Sequence, residues 1–411
     1  MEITKDKILV VLLGVLVVVI SIFLFILLKP NKTTNTDKDT ISKSNIANKV
    51  EDVLKENLPV NQEKRDNYNL NDFYSNNKYL DSKVDSVFKS LNDRQRAGQV
   101  IVQAAGEYGK PYSVIDALIQ KNEIGGVLLL KGSSSEFKSK ISELSETVKK
   151  NNSIPPIYSC DAEPSLLNMK ISGSPHFPKT SSIKTEKDAI KISEDITKYI
   201  KGLGFNQNFA PVCDFNTNKE IIGDRSFGSN TEIVSALANA FVKLSQENNV
   251  VATAKHFPGH GNVSGDSHKG LVTIKGEPSE IETFRKVISG GVISVMIGHI
   301  AVEGSKKYNT GGRPSTISRN IITDLLKEEL KFKGLIITDA MNMKGVTSFE
   351  RPSLEALKSG CDMVLMPTDE AKLLNSIVEY ANKDEKFKEQ LSISVKKILR
   401  LKFCLGLFKS N

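Results

Sequence analysis

The chain has 411 residues, 39% hydrophobic and 25% charged, the balance of a water-soluble body large enough to bury its own core. Lys plus Arg number 56 against 48 Asp plus Glu, a net +8, but these charges are scattered singly and build no basic stripe, which argues against a nucleic-acid partner. Cys160, Cys213, Cys361 and Cys404 are far apart and form no Cys-x-x-Cys pair, so neither a metal knuckle nor a disulfide-dense scaffold is expected.

The chain opens on an uncharged apolar run, Ile8–Leu28, preceded by Lys5 and Lys7 and followed by Lys29. As a helix it would span ~31 Å, enough to cross a bilayer. No small-residue cleavage pattern ends it, so residues 1–29 read as an uncleaved membrane anchor with the body on the external face; the alternative is a signal segment with an atypical cleavage site, which would make the body secreted. Residues 30–83 are rich in Asn, Lys, Asp, Ser and Thr and read as a polar stalk. Residues 84–411 form the folded body.

Within that body, short apolar runs alternate with amphipathic stretches. Eight runs are predicted as strands: Gln99–Ala104, Gly126–Leu130, Pro156–Cys160, Phe205–Val212, Val250–Ala254, Val292–Ile297, Gly334–Thr338 and Met363–Met366. Between them Ser134–Lys150, Lys187–Lys201, Thr231–Asn248, Ser279–Ser289 and Ser318–Leu330 read as helices, and Leu391–Leu401 as a terminal one. This rhythm predicts an α/β fold, a single (β/α)8 TIM-type barrel. The competing open sheet would want a Gly-x-Gly-x-x-Gly turn after its first strand, and that motif is absent. Polar residues follow the strands where a barrel carries its chemistry: Asp161, Asp214, Lys255-His256, His299 and Asp339.

The densest signal is Lys255-His256-Phe257-Pro258-Gly259-His260-Gly261, continuing through Asp266-Ser267-His268. A zinc site fits poorly, because the histidines sit in a Pro/Gly loop with Lys255 beside them and no His-Glu-x-x-His pattern. Asp266 two residues before His268 makes an acid/base dyad instead, the carboxylate orienting an imidazole that titrates near neutrality. Leu335-Ile336-Ile337-Thr338-Asp339 is a buried strand that delivers a carboxylate at its end, so Asp339 is a candidate nucleophile. No Gly-x-Ser-x-Gly elbow supports serine chemistry.

KHFPGHG with its trailing Asp-Ser-His, ITDAMNMKGV, FAPVCDFN and Ile222-Gly223-Asp224-Arg225-Ser226-Phe227-Gly228 together resemble glycoside hydrolase family 3, and its β-N-acetylhexosaminidase branch in particular, from about Val84 to Phe408. The resemblance implies that Asp339 attacks the anomeric carbon, that His268, oriented by Asp266, serves as general acid and base, and that Asp161, Arg225, Lys255 and His256 hold the sugar. It implies a retaining exo-β-N-acetylglucosaminidase acting on carbohydrate, such as peptidoglycan-derived fragments, with no metal and no cofactor. Alternative readings are a weakly catalytic sugar-binding surface protein on the same barrel, or a β-glycosidase or phosphorylase. One departure stands out: where the family carries a substrate-gripping arginine, this chain has Met169, which predicts a looser subsite. Asn262 likewise replaces a common aspartate.

Overall fold

The computed structural model describes residues 67–263 and 269–408. Eight parallel strands form one sheet: β1 (Ile101–Ala105), β2 (Gly126–Leu129), β3 (Ile157–Cys160), β4 (Gln207–Asn208), β5 (Val251–Phe257), β6 (Ser294–Ile297), β7 (Leu335–Thr338) and β8 (Val364–Leu365). Their order is β7-β6-β5-β4-β3-β2-β1-β8. β1 pairs with β8 through Ile101 opposite Val364. A bridge from Ile337 to Met363 brings β7 against β8, backed by the Thr338 N–H donating to the Met363 carbonyl at 3.1 Å. The ring is thus nearly closed, an α/β architecture consistent with a TIM barrel.

The strands are buried on both faces, as helices cover a parallel sheet. Those helices start at side-chain caps: the Ser133 hydroxyl, Thr185 hydroxyl and Asn230 amide oxygen accept the exposed N–H groups that open Ser134–Asn151, Glu186–Gly202 and Thr231–Glu247. Ser134–Asn151 ends at Asn152 in the left-handed region, φ 50°. Asn320–Glu329 winds as a π-helix within the run expected to be helical.

Three boundaries differ from the sequence reading. Phe205–Val212 contributes only Gln207–Asn208 to the ladder, because Pro211 has no N–H to donate, and the Ala210 and Pro211 carbonyls accept from Thr253 and Lys255 without a reciprocal bond at Pro211. β5 runs on through Lys255, His256 and Phe257, so the motif taken for a loop begins as strand. Residues 67–83, assigned to the stalk, belong to the folded body: Tyr68, Leu70, Phe73 and Leu80 are buried, and helix Lys78–Ser90 packs on the terminal helix Glu385–Cys404. Their polar texture arises because only one face of that helix reaches the core. The anchor segment and most of the stalk lie outside the described residues; among the described residues no helix is long and apolar enough to cross a membrane.

Candidate active site

The C-terminal ends of the strands converge on a cavity of about 610 Å³. One wall is an ionic cluster. The last residue of β3 is followed by Asp161, and Glu163 stands two residues on. Lys255, near the end of β5, reaches both carboxylates, with Nζ 2.8 Å from Asp161 Oδ1 and 2.6 Å from Glu163 Oε1. Arg225 grips Glu163 with two parallel bonds, Nε to Oε2 at 2.8 Å and Nη2 to Oε1 at 2.7 Å, the bidentate geometry that makes guanidinium–carboxylate pairs strong. Burial alone would raise the Glu163 pKa, yet Arg225 and Lys255 hold it well below the usual carboxylate range. Burial alone would likewise lower Lys255, and Asp161 and Glu163 reverse that, raising it. Glu163, Arg225 and Lys255 therefore carry fixed charges near neutral pH.

A second group orients His256. Asp214 is fully buried and accepts from the His256 ring Nδ1 at 2.6 Å, from the His256 backbone N–H at 3.1 Å and from the His260 N–H at 2.7 Å. Despite burial, which would raise it, the Asp214 carboxyl is held below its ordinary value, chiefly by His256. An ionised carboxylate at Nδ1 requires a proton there and fixes the ring, with the other nitrogen left for the cavity that His256 lines. His260 stacks edge-on against His256 at 5.8 Å; burial and the neighbouring imidazole push its pKa down. Below them, buried Glu280 accepts from the Gly261 N–H at 2.9 Å and from Ser279 at 2.7 Å, pinning the end of the KHFPGHG motif.

Asp339 leaves β7 and faces the cavity across from this ensemble. Its Oδ1 accepts the Ala340 N–H at 2.7 Å, and its own N–H donates to the Ile297 carbonyl at 2.8 Å. Burial would raise its pKa; His256, His299, the Ala340 N–H and Lys255 together outweigh this and keep it ionised below its ordinary value. Buried His299 clamps the turn, with Nε2 2.9 Å from the Ala340 carbonyl and Nδ1 2.9 Å from Thr316 Oγ1. A carbonyl can only accept, so Nε2 carries a proton. The arrangement offers an ionised carboxylate beside hydrogen-bonding groups of both polarities, over an apolar floor of Leu128, Phe209, Met296 and Leu365.

Of the residues expected in the site, Asp161, Arg225, Lys255, His256 and Asp339 line this one cavity. Arg225 reaches it with its guanidinium already engaged by Glu163 and the Ile221 carbonyl. Asp266 and His268 lie outside the described residues. Met169 is 63% exposed and is not part of the cavity wall, whereas Lys170 is. Glu163, Asp214, His260, His299 and Glu280 carried no assigned role in the sequence reading. Asp214 and His299 did carry the strand-end signal, and Glu163 the close spacing to Asp161. Nothing local to Glu280 points to the loop it holds, 19 residues away. Among the described residues no group of His, Cys, Asp and Glu is arranged to hold a metal ion.

Known proteins are similar to this chain in sequence and in fold. β-Hexosaminidase A of Pseudoalteromonas piscicida is 34% identical over 262 residues, covering 57% of this chain and 43% of that protein. β-Hexosaminidase LpqI of Mycobacterium tuberculosis is 28% identical over 299 residues, covering 68% and 74%. The solved structure of a glycoside hydrolase family 3 β-N-acetylglucosaminidase from a Paenibacillus species superposes with a TM-score of 0.70 at 26% identity, over 78% of this chain and 64% of that one. This chain thus spans less than half of the Pseudoalteromonas protein. The family model for the glycosyl hydrolase family 3 N-terminal domain matches residues 74–401, most of the chain, and the protein belongs to that family.

Proposed function

We propose that the protein is a retaining exo-β-N-acetylhexosaminidase that removes a terminal N-acetylglucosamine from peptidoglycan-derived fragments. The observation that carries this reading is Asp339: an ionised carboxylate at the end of β7, held by the Ala340 N–H and facing the Asp161–Lys255–Glu163–Arg225 wall across a sugar-sized cavity. The names of the hexosaminidase relatives support the acetamido specificity.

In the first step an Asp339 oxygen bonds to the anomeric carbon while the glycosidic C–O bond breaks, and the leaving oxygen takes a proton from His268. In the second, water attacks the same carbon, gives a proton back to His268 and releases Asp339 as carboxylate. Asp266 orients His268, and Asp161, Arg225, Lys255 and His256 hold the ring, Arg225 through Glu163. The two steps each invert the anomeric carbon, so the configuration is retained overall. The apolar run Ile8–Leu28 holds this body on the outer face of a membrane, where wall fragments are within reach; fractionation of the full chain checks that placement.

Hydrolysis of aryl β-N-acetylglucosaminide beside aryl β-glucoside tests the function. Turnover of the acetamido substrate, abolished by Asp339→Asn and by His268→Ala, is the expected result. A folded protein that turns over neither substrate would remove the proposal.

A further inference from the structure

Lys170 lines the cavity with donors in hand. Its ammonium stands 3.9 Å from Asp161 Oδ2, beyond hydrogen-bond length, while Asp161 Oδ1 is taken by Lys255 at 2.8 Å. The other two cations of the wall are engaged: Lys255 by Asp161 and Glu163, Arg225 by Glu163 and the Ile221 carbonyl. Among the described residues the long pair with Asp161 is the one polar contact of the Lys170 side chain, which is 28% exposed.

Its position is set by the backbone. Lys170 ends the short helix Leu167–Lys170, its N–H donates to the Leu166 carbonyl at 3.0 Å, and the following Ile171–Ser172 pairs in parallel with Gly132–Ser133. Successive residues on a helical turn point about 100° apart, so Met169 faces solvent and Lys170 the cavity.

An acceptor and a donor 3.9 Å apart can both be reached by one oxygen standing on the cavity side of the line that joins them, at ordinary hydrogen-bond length from each. A hydroxyl donates to Asp161 Oδ2 and accepts from Lys170 Nζ through the same oxygen. A carboxylate in that place would be repelled by Asp161, and an ether oxygen could satisfy Lys170 alone.

We propose that Lys170 is a substrate-binding, specificity-determining residue which, with Asp161, clamps one ring hydroxyl of the bound sugar. The inference rests on the reading that this cavity holds a sugar. It replaces the looser subsite expected from Met169 with a cation supplied one residue later.

The test compares wild type with Lys170→Met, Lys170→Arg and Met169→Ala. The readouts are calorimetric binding of N-acetylglucosamine and kcat/KM on aryl β-N-acetylglucosaminide and its monodeoxy analogues. Removing a charge-assisted hydrogen bond costs on the order of ten- to a hundredfold. Lys170→Met is expected to lose that much in both readouts, with Lys170→Arg recovering part and Met169→Ala staying within about twofold of wild type. One monodeoxy analogue is expected to be nearly indifferent to Lys170→Met, because it lacks the clamped hydroxyl. Active wild type with an equally active Lys170→Met overturns the clamp alone, and so does an equal penalty on every analogue. A folded wild type that neither binds nor turns over the sugar overturns the clamp and the functional reading together.

Discussion

Glu163 accepts from Arg225 twice and from Lys255 once while almost no solvent reaches it. Removing it leaves two buried cations with Asp161 as their remaining carboxylate, so Glu163→Gln is expected to cost about 3–5 kcal/mol at pH 7 in a urea titration. Its folded pKa lies below the ordinary 4.5, so its stabilisation is present above about pH 4.5 and lost as pH falls through the folded value. Wild type should therefore lose stability more steeply on acidification below that pH than Glu163→Gln. Lys402 is the opposite case. It is fully buried, donates to Gln99 Oε1 at 2.7 Å, and burial pushes its pKa down from 10.5 to about 7. Between those values the unfolded chain holds the extra proton, so wild-type stability should rise with pH from 7 to 9 on this account. Lys402→Met should flatten that rise in thermal melts at matched ionic strength, whatever its absolute melting temperature. Lys170 and Asp339, by contrast, are proposed to serve ligand and chemistry, and on that reading their variants should fold normally.

The KHFPGHG segment shows how much an element's sequence can specify. Its residues announced a functional strand end, and Lys255 and His256 do face the cavity. The extension of β5 into the motif is not legible in the sequence, because Lys and His in a Pro/Gly setting read locally as loop, while the pairing that continues the strand is with distant backbone: Lys255 bridges Val212 and Phe257 lies opposite Ile297. Gly261 marks the close approach of two backbones: a Cβ there would lie 2.1 Å from the Phe215 carbonyl oxygen. Gly261→Ala is expected to destabilise the protein by about 1–3 kcal/mol. Displacing the motif that carries His256 should also lower kcat/KM by about ten- to a hundredfold. Melting curves and steady-state kinetics check both. β4 teaches the converse, since an apolar run predicts burial while Pro211 decides which of its groups can join a ladder.

At the scale of the molecule, the first and last α-helices of the described body pack on each other. Helix Glu385–Cys404 lies against Lys78–Ser90, and Arg400 donates to the carbonyls of Phe73, Asp72 and Ser75 and pairs with Asp81. A chain beginning at residue 84 would expose the surface now covered by Tyr68, Leu70, Phe73 and Leu80. Compared with one beginning at residue 67, it should unfold at a measurably lower urea concentration, each buried side chain contributing roughly 1.5–3 kcal/mol. The sequence by itself determined the alternation of buried strands and amphipathic helices, the barrel it implies, and the strand-end placement of Asp161, Lys255, His256 and Asp339. These follow from local periodicity, which depends only on which residues neighbour one another along the chain. Only the tertiary structure decided that Glu163 pairs with Lys255 and Arg225 and Asp214 with His256, that Lys170 rather than Met169 lines the cavity, and that residues 67–83 belong to the body. Those outcomes depend on charges and surfaces brought together from positions dozens to hundreds of residues apart, where desolvation and pairing set the energy and local pattern carries no trace of it.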